Sequence, residues 1–86
     1  MLYEKIDVFE RGDNCLKIYR CFKNLSNNLY YVQSLDHVYE PVDADQIISS
    51  EKQLYELLID DELLDRTDGF ATLEKAILVF KDEFKS

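Results

Sequence analysis

The stretch LYEKIDVFERGDNCLKIYRCFK, residues 2–23, decides the fold class. Its first part alternates as an extended chain does: Ile6 and Val8 fall on one side, and Tyr3, Lys5, Asp7 and Phe9 on the other. Arg11-Gly12-Asp13-Asn14 then supplies residues that tolerate a tight reversal. From Cys15 the alternation resumes. Leu16, Ile18 and Phe22 share one side, and Cys15, Lys17, Tyr19, Cys21 and Lys23 the other. Two such runs joined by a short turn read as an antiparallel hairpin.

Working outward, Ser26-Asn27-Asn28 marks a second turn, and a third strand runs from Leu29 to about Leu35, with an extension to Tyr39. Glu40-Pro41 closes the sheet, because proline has no N–H to give to a ladder. Ser50 with Gln53 three residues on forms a capping box for a helix whose apolar stripe is Leu54, Leu57 and Leu58. Asp68 occupies an N-cap position before the clearest periodicity in the chain. Phe70, Leu73, Ile77, Phe80 and Phe84 are spaced 3, 4, 3 and 4, one continuous helical face. The expected architecture is one α+β domain over residues 1–86, a three-stranded antiparallel meander followed by two helices. Its sheet spans about residues 2–39 and its helical part about 47–85, with both helices packed on one face.

Composition agrees with a folded domain and narrows its partners. Of 86 residues, 47% are hydrophobic and 13% aromatic, enough for a core. The net charge of −8 is one-sided: residues 1–39 carry five bases and five acids, residues 40–86 five bases and thirteen acids. Such a surface repels phosphate backbones, so the expected partner is a basic protein and not a nucleic acid. Glu4, Lys5, Asp7 and Glu10 interrupt any apolar leader, and no apolar run approaches the length of a membrane span. The expected location is cytoplasmic. Cys15 and Cys21 lie six positions apart in one strand, about 20 Å, far beyond disulfide reach. Reduced thiols fit a reducing compartment.

Motifs that carry chemistry are weak. A cysteine–histidine site would need His37, the single histidine, beside Cys15 or Cys21, and neither thiol has the small-residue context of an exposed nucleophile. Cys15 and Cys21 also lack zinc-ligand spacing. With Gly69 placed at the glycine of a calcium loop, Leu64, Arg66 and Lys75 fall on ligand positions, and the match fails. Asp43 and Asp45 could pair for proton transfer, but acids ahead of a helix ordinarily interact with its dipole. Asp61 would point into the core if residues 51–66 were one helix, so the helix is expected to end near Asp60. No cofactor, metal or catalytic residue is expected.

Contact surface is the stronger signal. Tyr3, Lys5, Phe9, Lys17, Tyr19, Lys23 and Tyr31 would share the sheet face opposite the first-half core, and tyrosine suits binding surfaces. Leu78 and Val79 would flank the last helix's stripe and face away from the sheet. The run Asp60, Asp61, Glu62 and Asp65 would offer negative potential to a basic partner. The sequence therefore points to a small acidic, non-catalytic protein-interaction module, with an inhibitor or immunity-type protein as its most specific form. A homodimer joined through the sheet is a further expectation. The alternatives are a small enzyme built on a Cys/His/carboxylate site and a purely structural homo-oligomeric subunit.

Overall fold

A computed structural model describes residues 2–59 and 69–83. Three strands, β1 (Tyr3–Arg11), β2 (Cys15–Asn24) and β3 (Leu29–Tyr39), form one antiparallel sheet in the order β1-β2-β3. Among the described residues two helices follow, α1 (Ala44–Ile59) and α2 (Leu73–Glu83). The α+β class and the β-β-β-α-α order stand. The strand turns use asparagine rather than glycine for the left-handed backbone: Asn14 and Asn28 have φ of 61° and 60°. Asn24 Oδ1 accepts the Ser26 N–H and Asn27 Oδ1 that of Leu29, so the second turn is braced by its own side chains.

The helices differ from the expectation in where they start. Asp43 caps α1: its Oδ1 accepts the Asp45 N–H at 2.9 Å and its carbonyl accepts that of Ile47. Ser50 instead lies within α1 and donates its hydroxyl to the Gln46 carbonyl at 3.1 Å. α2 is capped by Thr72, whose Oγ1 accepts the Lys75 N–H at 3.1 Å. Asp68 lies outside the described residues, as does Phe84. Phe70 precedes α2 and exchanges both backbone hydrogen bonds with Tyr30.

Register decides which residues share a face. Tyr3 pairs with Asn24, Lys5 with Phe22, Asp7 with Arg20 and Phe9 with Ile18. Across β2 and β3, Phe22 pairs with Tyr31 and Ile18 with Asp36, with a register shift between Arg20 and Cys21. All of these pairs form the front face. Ile6, Val8, Tyr19, Cys21, Val32 and Leu35 belong to the back face.

Each face carries one helix, which corrects the expectation that both pack on one side. On the front, Leu54 of α1 is buried with Phe22 and Tyr31, with Tyr3, Leu29, Leu57 and Leu58 packed around them. On the back, Phe80 of α2 meets the ring of Tyr19 edge-on at 6.2 Å. The chain changes sides at the β3 edge. A Cβ on Gly69 would lie 2.8 Å from both Leu29 Cβ and the Tyr31 ring, on the front; Phe70 bridges to β3, and α2 continues behind. Apolar residues therefore occupy both faces of this sheet because both are covered.

Candidate functional site

The front face holds a charged cluster that sequence reasoning passed over. Arg20, on the central strand, is buried to 2% exposure among Leu16, Ile18 and Phe22, which share its face. Its Nε donates to Asp36 at 3.1 Å, and its Nη1 lies 3.2 Å from Asp7 and 3.6 Å from Glu51 of α1. Lys5 joins from β1, donating to Glu51 at 2.8 Å and lying 3.5 Å from Asp7. Two cations thus meet three carboxylates, and the helix is fastened to the sheet through charge. Burial works against the Arg20 charge, but the bond to Asp36 and the adjacent Asp7 outweigh it and hold its pKa above the ordinary value. Arg20 Nη2 and Asp7 Oδ1 are buried and make no hydrogen bond. The signal was present in the sequence: an arginine at the one position that breaks an apolar alternation.

A cleft of about 830 Å³ opens between the β1–β2 turn and the link from β3 to α1, lined among others by Cys15, Leu16, Val38, Tyr39, Glu40 and Val42. Tyr39 and Val42 are well exposed, at 57% and 61%. Glu40 is the acid in the lining. Asp13 and Asp43 adjoin lining residues in sequence, and the Asp43 carboxylate is engaged at the start of α1. His37 stacks on Tyr39 with ring centroids 6.3 Å apart. Arg11 is the one base in the lining.

The sequence-derived candidates fare unevenly. Tyr3, Tyr19 and Tyr31 do not share an open face. Tyr19 is 2% exposed on the back, Tyr31 is 8% exposed on the front, and Tyr3 is half-buried against Phe22. The expectation failed because pairing in the first hairpin matches odd positions of β1 with even positions of β2, which the alternation within each strand does not reveal. Leu78 is exposed, at 54%, as expected. Val79 is only half-exposed, since Ala76, buried to 1%, sets the direction of α2's inner face. Asp60, Asp61, Glu62 and Asp65 lie outside the described residues.

The nucleophile candidates are poorly placed for reaction. Burial first, then the charge of Asp7, push the Cys21 thiol up to about 12, so it stays protonated. Cys15 and His37 share the back face on a diagonal of the ladder, and no hydrogen bond joins them. Among the described residues no three His, Cys, Asp or Glu side chains are grouped to hold a metal, and no helix is long and apolar enough to cross a membrane.

Comparison with protein-family models finds no match, and comparison with curated proteins and with solved structures gives no significant match.

Proposed function

We propose that this chain is a non-catalytic protein-interaction module that takes a basic segment of another protein into the cleft beside Tyr39. The single observation that carries the reading is the cleft's composition. An exposed aromatic, Tyr39, and an exposed valine, Val42, line it together with Glu40, and Asp13 and Asp43 adjoin lining residues in the chain. An aromatic anchor within a polar rim is how many interfaces concentrate their affinity. The chain's net charge of −8 would draw a cationic partner and speed the encounter. An inhibitor that covers the cationic site of an enzyme is the fullest form of this reading.

The test is a titration of isotope-labelled protein with a panel of lysine- and arginine-rich peptides, each carrying one aliphatic or aromatic residue. Amide shifts concentrated at Val38–Val42 and Gly12–Leu16, weakened by salt and abolished in Tyr39→Ala, are the expected result. Shifts spread over all acidic surfaces, unchanged by Tyr39→Ala, would sink the proposal.

A further inference from the structure

Among the described residues β1 is an edge strand for its whole length, whereas the opposite edge, β3, is partly covered where Phe70 bridges to Tyr30. The direction of its free groups follows from two bonds at its ends. The Leu25 N–H donates to the Leu2 carbonyl, and the Gly12 N–H donates to the Cys15 carbonyl, each at 2.9 Å. Even positions therefore bond to β2. In an antiparallel ladder the alternate residues point the other way, so Tyr3, Lys5, Asp7 and Phe9 direct their N–H and C=O groups to the open edge.

We infer that two copies of this chain pair through β1, antiparallel and centred on Ile6, to form one six-stranded sheet. A two-fold axis through the seam keeps each face continuous, so front residues must oppose front residues. With Ile6 at the centre, Lys5 opposes Asp7 of the second copy, and Tyr3 opposes Phe9 of the second copy, each twice. Tyr3, Lys5, Asp7 and Phe9 of each strand then find backbone partners, and Arg11 lies beyond the paired stretch. The neighbouring registers are worse. Centring on Asp7 sets Asp7 against itself and Glu4 against Glu10, and centring on Lys5 sets Lys5 against itself. A lysine on an edge ordinarily blunts it. Here an aspartate two positions on makes the edge complementary to a second copy of itself.

Exposed apolar surface lies along the same seam. Phe9 belongs to the front face yet is 60% exposed. On α1, Ile48, Tyr55 and Ile59 are 63%, 48% and 82% exposed, and their spacing of seven and four puts them on one line of the helix. That line faces the β1 side, because the Lys5 ammonium sits 5.7 Å from the Tyr55 ring centroid. The two-fold axis brings both α1 helices to the front of the joined sheet, with these lines flanking the seam. Neither the charge register nor the apolar line depends on how the Tyr39 cleft is used.

Sedimentation equilibrium, paired with filtered NOE spectra of a mixture of labelled and unlabelled chains, tests the inference. A dimer with intermolecular NOEs between Tyr3 and Phe9 and from Ile6 to itself is expected. Phe9→Asp should raise its dissociation constant about tenfold or more with the circular dichroism unchanged. A chain that stays monomeric at several hundred micromolar overturns the inference. So does a dimer whose NOEs come from β3 or from Leu78.

Discussion

The two faces of this sheet are covered by helices of similar amphipathic design, yet they are fastened differently. On the back, Tyr19, Cys21 and Ala76 are buried without charge among them, and the ions Glu10, Lys17 and Lys81 stay at the rim. On the front, a dry patch of Phe22, Tyr31 and Leu54 adjoins a guanidinium that water barely reaches. Packing holds α2 and would tolerate modest change of shape. Charge pairs hold the middle of α1, and they tolerate the loss of a partner badly, because Arg20 is buried and Asp7 and Asp36 are about four-fifths shielded from water. The lesson is that one sheet can specify the seat of one helix by shape and of the other by ion geometry.

Breaking the front ion cluster should have the largest effect. Arg20→Met strands Asp7 and Asp36, and a loss of about 3–5 kcal/mol in urea unfolding is expected. Replacing Arg20, Asp7 and Asp36 together by apolar residues of similar volume should restore most of that loss, since no buried charge is then left unpaired. If Arg20→Met costs under about 1 kcal/mol, the front is held by packing, as the back is, and the contrast disappears.

The dry patch comes next. Leu54→Ala removes the side chain that seats α1 on Phe22 and Tyr31, and about 2–5 kcal/mol should be lost. The matching change behind, Ala76→Val, adds volume rather than removing it and should cost about 1–3 kcal/mol. Hydrogen exchange separates the two. Leu54→Ala should speed exchange in α1 amides and leave α2 close to native, with Ala76→Val doing the reverse. Uniform speeding of both helices would show that the faces do not act independently.

Where the chain crosses from front to back, Gly69→Ala should cost about 1–3 kcal/mol, measured by thermal or urea unfolding. The new methyl would sit 2.8 Å from Leu29 Cβ, which is close to the backbone and has little freedom to retreat. A neutral result would mean that the Phe70 bridge, not the Gly69 contact, fixes the crossing.

How much of this was legible beforehand depends on the kind of rule involved. Strand and helix identity follow from local alternation and periodicity, so three strands, two helices and their order could be read. The face each helix covers could not. It depends on hairpin register and on the path around the β3 edge, both set by contacts distant in sequence. The tyrosines illustrate this. Tyr3 and Tyr19 look alike within their strands, but the pairing of Tyr3 with Asn24 and of Val8 with Tyr19 sends them to opposite faces. The cleft has no sequence motif, because Leu16, Val38 and Val42 meet only once β3 has folded back along β2. Arg20 alone was readable and overlooked, as a charge at an apolar position of the central strand.

The smallest expected effect comes from acid. Glu51 on the front and Glu10 on the back are both held below the ordinary carboxylate range, first by hydrogen bonds, to Lys5 and Lys81 respectively. A carboxylate whose folded pKa is depressed contributes fully above its unfolded value, about 4.5, and loses that contribution as pH falls through the folded value. The urea midpoint should therefore be flat from neutral pH to about 4.5 and decline below it. Both pairs touch water, so the decline should be shallow and shrink further in high salt. Glu51→Gln and Glu10→Gln should each remove part of the slope, in comparable shares, because each acid meets two cations: Lys5 and Arg20 on one side, Lys81 and Lys17 on the other. If Glu51→Gln alone abolished the slope, the rim pairs would not be equivalent, and charge would fasten the front helix at its margin as well as beneath it.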